Sequence, residues 1–225
     1  MKSRWAVLKF PGSNGEGDAL KALSAYPVKL VEHWHEDPIQ VGDYELLILP
    51  GGFSYGDYLR AGAIAKHAPA LKNLHEVISE GCHVMGICNG FQILLEARLI
   101  PGFLQVNSSL KFISDMVDCH LNHAVEPWIR KEDCGKRLKL PVAHRFGNYQ
   151  VSRVDRSELV AALTYEVDLN SSVDQIAGVY RSIGRGSVFA MMPHPERAAF
   201  EALGANDGRL FFDNAFEFLS ERGTS

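Results

Sequence analysis

The residues that decide the fold run from Cys82 to Ala97 and read CHVMGICNGFQILLEA. The run Val84 to Ile87 is short and apolar, which predicts a buried strand. Beyond Cys88 the apolar residues recur at helical spacing as far as Leu95. The sequence therefore predicts a strand that turns at Cys88 directly into a helix.

Two glycines, Gly86 and Gly90, flank this turn with Cys88 midway between them. The pattern Gly-x-Cys-x-Gly is the sulfur analogue of Gly-x-Ser-x-Gly, a tight turn that exposes one side chain while the glycines prevent clashes. A thiol at a helix N-terminus lies near unpaired N–H groups that favour the thiolate. Cys88 is our candidate nucleophile, and the alternative is a small buried thiol without chemistry.

Composition limits the class of protein. The chain has 225 residues, 46% hydrophobic and 22% charged, which predicts one globular domain over residues 1–225. The formal net charge of -4 gives no reason to expect nucleic acid as a partner. No run approaches the roughly 20 apolar residues of a membrane span, and four cysteines do not make a disulfide scaffold. We expect a cytoplasmic protein that binds neither nucleic acid nor membrane.

Strands alternate with helices along the first half of the chain. The strand-like runs are Arg4–Phe10, Val28–His33 and Tyr44–Leu49, and the predicted helices are Asp18–Ala25 and Ala63–Glu80. Shorter, partly alternating runs between Gln105 and Asp118 predict antiparallel strands added to the sheet. The fold class that follows is α/β, with a doubly wound, mostly parallel sheet and added antiparallel strands.

The third predicted strand ends in Pro50-Gly51-Gly52. Sites in open parallel sheets form outside the carboxyl ends of the strands, so this loop and Cys88 are expected at the same edge. Glycine lets a backbone N–H group approach a reacting carbonyl oxygen, and we assign the N–H groups of Gly52 and Asn89 to an oxyanion hole. The alternative is that Pro-Gly-Gly only turns the chain.

A second informative stretch runs from Met191 to Arg197 and reads MMPHPER. Its two prolines restrict the backbone, which predicts an extended and stiff segment. Residues two apart in an extended chain point the same way, so His194 and Glu196 are expected to pair. The carboxylate then holds one imidazole nitrogen while the other faces a partner. A purely structural pair is the alternative.

The histidines and cysteines between residues 119 and 134 raise the possibility of zinc. Their spacing matches no familiar closed tetrahedral set, so no metal is predicted. Cys88, His194 and Glu196 instead provide a nucleophile, a base and an orienting carboxylate, which indicates acyl transfer. The thiolate attacks an amide carbonyl, and His194 protonates the departing amine before it activates water.

Six motifs follow one another along nearly the whole chain: Phe10–Asn14, Pro50–Ala65, Gly86–Gln92, Asn107–Ser109, Pro141–His144 and Met192–Arg197. Together they resemble the glutaminase subunits of phosphoribosylformylglycinamidine synthases, a branch of the class I (triad) glutamine amidotransferases. The cysteine turn and His-Pro-Glu indicate the larger family. The run GGFSYGDYLR, residues 51–60, points to the branch.

The resemblance implies a flavodoxin-like fold and hydrolysis of glutamine through a glutamyl thioester at Cys88. It also implies that Gln92 contacts the bound glutamine, and that the loop from Tyr55 to Arg60 lies near a partner. The ammonia passes to a separate, large synthetase subunit, which holds ATP and magnesium, and no cofactor is expected in this chain. Whether a small third subunit bridges the two stays open.

Some positions depart from the commoner pattern of this family. Glycines stand at 15 and 17 where bulkier residues are usual, Arg145 and Ser171 replace glycine, and Asn148 stands where arginine is frequent. These changes leave Cys88, His194 and Glu196 intact. Two other hypotheses remain: a stand-alone γ-glutamyl hydrolase or cysteine peptidase that needs no partner, and a redox sensor, which gives no reason for the His194–Glu196 pair.

Overall fold

The computed structural model describes residues 3–200 and 205–222. The strands within them are β1 (Arg4–Lys9), β2 (Lys29–Trp34), β3 (Leu46–Leu49), β4 (His83–Ile87), β5 (Phe103–Gln105), β6 (Ile113–Leu121), β7 (Arg137–His144), β8 (Asn148–Gln150), β9 (Val160–Tyr165), β10 (Ile176–Ile183) and β11 (Gly186–Met191). The α-helices are α1 (Glu16–Leu23), α2 (Leu74–Ser79), α3 (Asn89–Glu96) and α4 (Arg209–Arg222).

In the described part of the chain, nine strands form one sheet in the order β2-β1-β3-β4-β11-β10-β9-β6-β7. The five strands from β2 to β11 are parallel to one another. The remaining four extend the sheet with antiparallel pairings, from β10 against β11 to β7 against β6. The predicted fold class is confirmed: a parallel α/β sheet carries added antiparallel strands.

The centre of the parallel part is formed by β3, β4 and β11, whose residues are all buried. Buried parallel strands read as continuous apolar runs because both of their faces are covered. This is why the sequence identified β3 and β4 by composition alone. Since β4 lies between β3 and β11, the three carboxyl ends are neighbours at one edge of the sheet.

The predicted long helix from Ala63 to Glu80 is wrong. The segment contains two single 3₁₀ turns, Ala65–His67 and Pro69–Leu71, followed by the short helix α2. Proline disfavours helical geometry in the residue before it, and Ala68 is extended, with ψ 137°. The apolar spacing of the segment survives this break, because short turns still bury Ala65, Leu71 and Leu74.

Two other boundaries differ from expectation. The strands predicted within 105–118 divide between two sheets: β6 joins the main sheet, whereas β5 pairs with β8 in a small two-stranded sheet. Helix α1 begins at Glu16 and ends at Leu23, two residues earlier at each end than predicted. No helix within residues 3–200 and 205–222 has the length and apolar character needed to cross a membrane.

Candidate active site

Three segments meet at the carboxyl ends of β3, β4 and β11. Gly51 and Gly52 follow β3, Cys88 follows β4, and His194 lies just beyond β11. The strands are hydrogen-bonded neighbours, so residues that are far apart in sequence become adjacent in space. The sequence prediction that these segments share one edge of the sheet is therefore confirmed.

Cys88 occupies a strained turn between β4 and α3. Its backbone has φ 49° and ψ -100°, and such conformations cost about 1–3 kcal/mol in a residue other than glycine. Two features hold it there: its N–H donates to the carbonyl oxygen of Met191 at 2.8 Å, and α3 buries Phe91 and Leu94 completely. Burial of each of these side chains contributes about 1.5–3 kcal/mol, which offsets the strain.

The glycines on either side are required by close backbone packing. A β-carbon on Gly90 would lie 2.0 Å from the carbonyl oxygen of Leu49, at the end of β3. A β-carbon on Gly86 would lie 2.3 Å from a methyl carbon of Leu94. Both distances are far below van der Waals contact, so a side chain at either position displaces the turn that carries Cys88.

His194 and Glu196 form the predicted pair, but not by the predicted geometry. His194 Nδ1 lies 2.6 Å from Glu196 Oε1, and each residue is 1% exposed. The segment is not extended: Pro195–Ala198 is a 3₁₀ turn, with Pro195 at its first position. Proline fits that position because its fixed φ suits a helical turn and its missing N–H is not needed there.

The charge state of His194 is set by its surroundings. Burial alone lowers the pKa of His194, but the negative charges of Glu196 and Cys88 raise it, to about 10. Cys88 and His194 lie close together, since a β-carbon on Gly51 would be 2.6 Å from Cε1 of His194 and 3.6 Å from Cβ of Cys88. The site therefore favours an imidazolium beside the sulfur.

The three remaining predicted residues surround the same turn. Gly52 has φ 132°, a backbone conformation that favours glycine, and it follows Gly51, which packs on the His194 ring. Asn89 begins α3, where the first N–H groups have no partner within the helix. Its side chain donates to Oε1 of Gln92 at 2.8 Å and accepts from Ser54 N at 3.1 Å.

A cavity of about 460 Å³ opens in front of Cys88 and His194. Gly52 and Gln92 also line it, whereas Glu196 and the side chain of Asn89 lie behind these residues. Gln92 is held by a hydrogen bond from its Nε2 to the carbonyl oxygen of Phe146 at 3.0 Å. The volume is in the range of small-molecule sites, which commonly span about 300–1,000 Å³.

Sequence reasoning missed part of the cavity wall. Asp57, Arg145, Phe112 and Phe146 line the cavity, and the Sγ of Cys88 lies 3.6 Å from the carbonyl oxygen of Ala143. Asp57 lies in a loop that was expected near a partner rather than near glutamine. The loop after β7 has no sequence pattern that places it here; the contacts of Ala143 with Cys88 and of Phe146 with Gln92 show that it returns to the nucleophile.

His144 is a second histidine in the cavity, and it differs from His194. Burial, together with the neighbouring His194, lowers the pKa of His144 to about 4. Its Nδ1 donates to Oδ1 of Asn107 at 3.1 Å, because the Nδ2 of Asn107 is already donating to two carbonyl oxygens. His144 is therefore neutral at pH 7, and the imidazolium character is confined to His194.

Metal ligation has no structural support in the described ranges: no group of three or more His, Cys, Asp or Glu residues is placed to hold a metal ion. The cysteines at 82, 88, 119 and 134 are free thiols.

Comparison with known proteins identifies the family. The model of the CobB/CobQ-like glutamine amidotransferase domain matches residues 2–206. The chain belongs to this glutamine amidotransferase family. The resemblance drawn from its motifs is thereby confirmed, and so is the fold that the resemblance implied.

The relatives define the branch of the family. Proteins named "Phosphoribosylformylglycinamidine synthase subunit PurQ" include one from Helicobacter hepaticus, 41% identical over 93% of this chain and 95% of its own length. Another, from Thermotoga maritima, is 41% identical over 97% of this chain and 99% of its own length. A chain in the solved "Structure of PurLQS from Thermotoga maritima" superposes with a TM-score of 0.89 at 40% identity, covering 97% of this chain and 100% of that one.

Proposed function

We propose that this chain is the glutaminase subunit of a phosphoribosylformylglycinamidine synthase. The observation that carries the proposal is the buried His194–Glu196 pair beside Cys88, at the ends of adjacent strands, with Cys88 and His194 lining one cavity. The relatives that match almost end to end are subunits of that enzyme. The single chain would supply ammonia, and a separate synthetase subunit would use it.

The reaction begins with attack of the Cys88 thiolate on the side-chain carbonyl carbon of glutamine. The N–H groups of Gly52 and Asn89 stabilise the oxyanion that forms. The C–N bond then breaks as the His194 imidazolium gives its proton to the leaving nitrogen, which departs as ammonia and leaves a glutamyl thioester. Glu196 holds the imidazole in position and stabilises its charged form.

Water completes the cycle. His194, now neutral, takes a proton from water, which attacks the thioester and releases glutamate and the thiolate. The ammonia passes to the synthetase subunit, where ATP and magnesium are expected to support conversion of formylglycinamide ribonucleotide to the amidine. We also propose that this subunit contacts the exposed loop 53–60 beside the cavity, and that the complex works in the cytoplasm. Neither ATP nor a metal is expected in this chain.

The test uses the chain reconstituted with a synthetase subunit, and measures amidine formation from glutamine and, separately, from ammonium salts. Cys88→Ala should lower the glutamine-dependent rate by at least about 1,000-fold, because the thioester cannot form. Synthesis from ammonium should be unchanged, because the synthetase is intact. Cys134→Ala is the matched control, since Cys134 is exposed.

Two results would contradict the proposal. If Cys88→Ala also abolished synthesis from ammonium, Cys88 would be a structural residue of the complex. If the isolated wild-type chain hydrolysed glutamine or peptides at full rate, with no increase on adding the synthetase, a stand-alone hydrolase or peptidase would be the better account.

A further inference from the structure

Asp57 is a polar group in the active-site cavity that the reaction does not use. It is the one carboxylate among the described residues that line the cavity. Its Oδ1 accepts a hydrogen bond from Nδ2 of Asn89 at 3.2 Å. In the described part of the chain, no Lys, Arg or His lies within ion-pairing distance of it, so its second oxygen has no partner of opposite charge.

This arrangement is unfavourable for the free protein. Burial raises the pKa of Asp57, and the hydrogen bond from Asn89 only partly opposes that effect. The backbone of Asp57 also has φ 52°, in the left-handed region that costs free energy in residues with a side chain. A partly desolvated, unpaired carboxylate on a strained backbone beside a nucleophile indicates a group kept for a ligand.

The complementary charge lies elsewhere on the wall of the same cavity. Arg145 and Arg197 both line it. Arg197 is already neutralised, with its Nε 3.3 Å from Asp18 and 3.6 Å from Glu196. Arg145 has no carboxylate within ion-pairing distance among residues 3–200 and 205–222. The cavity thus presents one uncompensated carboxylate and one uncompensated guanidinium.

We propose that Asp57 binds the α-ammonium group of glutamine and that Arg145 binds its α-carboxylate. The inference rests on the proposed function, because it requires the side-chain amide of glutamine to lie at Cys88. The hydrogen bond to Asn89, the residue after Cys88, fixes the Asp57 side chain beside the first turn of α3. Its second oxygen is then available to a cationic group.

Recognition of both charges makes the site selective for the free amino acid. Glutamine inside a peptide, or acetylated at its α-nitrogen, has no ammonium group and would leave the half-buried Asp57 without a partner of opposite charge. A site built around a polar contact rejects an analogue that lacks the contacting group, because the polar group of the site is then left unpaired. Asp57 therefore directs the cysteine chemistry towards free glutamine and away from proteolysis.

The experiment compares three substrates in the reconstituted complex: glutamine, glutaramate, which lacks the α-amino group, and 4-aminobutanamide, which lacks the α-carboxylate. The readout is ammonia release. Asp57→Asn removes the charge with little change of shape, and asparagine tolerates a left-handed backbone. We expect it to raise the KM for glutamine by about 10-fold to 100-fold with little change in kcat. The kcat/KM for glutaramate should not fall.

Arg145→Gln should reduce the ratio of kcat/KM for glutamine to kcat/KM for 4-aminobutanamide, which lacks the α-carboxylate. The ratio of kcat/KM for glutamine to that for glutaramate should be unchanged. The matched control is Asp174→Asn, because Asp174 also has a left-handed backbone, φ 47°, but forms an exposed ion pair with Arg156. It should leave all three substrates unaffected.

The outcomes separate the possibilities. Equal losses for glutamine and glutaramate in Asp57→Asn would make Asp57 a structural residue and overturn the proposal, as would no loss for either. If Asp57→Asn did not fold, the substrate preference of Arg145→Gln would be the test. An unchanged preference for glutamine over 4-aminobutanamide in that variant would overturn the proposal. Absence of glutamine turnover in the wild-type complex would instead reject the proposed function itself.

Discussion

The active-site cavity has two walls that are built differently. The first is the reaction wall, defined as Cys88 and His194 with Glu196 behind them, which is buried and fixed by the ends of parallel strands. The second is the loop wall, residues 53–60, in which Phe53 is 49% exposed, Tyr58 75% and Leu59 93%. The strands hold the reaction wall through backbone pairing, whereas side chains hold much of the loop wall.

The contacts of the loop wall are few and specific. Tyr55 Oη lies 2.7 Å from Nδ1 of His35, and Arg60 Nε lies 2.5 Å from Glu96 Oε1. Left-handed backbones at Tyr55, Asp57 and Leu59 add strain to this short segment. Under the proposed function, this difference corresponds to a division of work: the buried wall would carry out the chemistry, and the exposed loop would select the molecules that reach it.

The largest expected effect lies behind the reaction wall. Gly90→Ala should lower the free energy of unfolding by about 3 kcal/mol or more and abolish glutamine turnover, because the new methyl group overlaps the Leu49 carbonyl oxygen. Gly17→Ala is the control: it lies in α1 with nothing within 4 Å of the added carbon. That change should stabilise the chain by about 0.5 kcal/mol. Equal stability of the two variants in urea unfolding would contradict the account of the turn.

A smaller effect is expected within the reaction wall. Glu196→Gln should lower kcat/KM for glutamine by about 100-fold, since the imidazole loses the carboxylate that orients it. The pKa of His194 should fall, because burial lowers it and Glu196 no longer opposes that effect. The alkaline decline of kcat/KM should therefore begin at lower pH. A pH–rate profile of unchanged shape would contradict the assignment of Glu196.

The same raised pKa has a consequence for stability. A histidine that ionises near pH 10 when folded and near pH 6.5 when unfolded stabilises the native state fully below pH 6.5. That contribution is lost as the pH rises from 6.5 towards 10. The free energy of unfolding should therefore fall more steeply over this range in the wild type than in Glu196→Gln, as measured by urea unfolding at a series of pH values.

The smallest effect on the folded chain is expected in the loop wall. Leu59→Asn should change the free energy of unfolding by no more than about 0.5 kcal/mol, because Leu59 is exposed. It should weaken binding of the synthetase subunit by about 10-fold to 100-fold, since a leucine buried at an interface contributes about 1.5–3 kcal/mol. Val154→Asn, at a valine that is 81% exposed and does not line the cavity, should leave that binding unchanged. Equal binding by both variants would remove the loop from the interface.

The sequence predicted the reaction wall well because each part depends on local chemistry. The turn at Cys88 follows from two glycines within five residues, and the His194–Glu196 pair follows from their spacing around Pro195. The pair is nevertheless made by a 3₁₀ turn, because proline fits the first position of a helical turn as well as an extended chain.

The loop wall was harder to predict because its positions depend on long-range contacts. Asp57 is held at the cavity by the hydrogen bond that it accepts from Asn89, and outside the loop wall the loop containing Phe146 accepts one from Gln92. Neither contact has a local signature in the sequence. The wrong prediction of a helix from Ala63 to Glu80 has a local cause instead. The helical spacing of its apolar residues is present in the sequence, but Pro69 divides the segment into short turns.

The most direct test of the account is alkylation of the chain by a diazoketone analogue of glutamine, followed by peptide mass spectrometry. The analogue carries the amino-acid head of glutamine and forms a stable thioether with a nucleophilic sulfur. We expect one adduct, on Cys88, which glutamine prevents, and none on Cys82, which lies at the other end of β4, does not line the cavity and has a thiol pKa raised to about 12 by burial. Modification of another cysteine, or labelling of Cys88 that glutamine does not slow, would contradict the central claim that Cys88 is the nucleophile of a glutamine site.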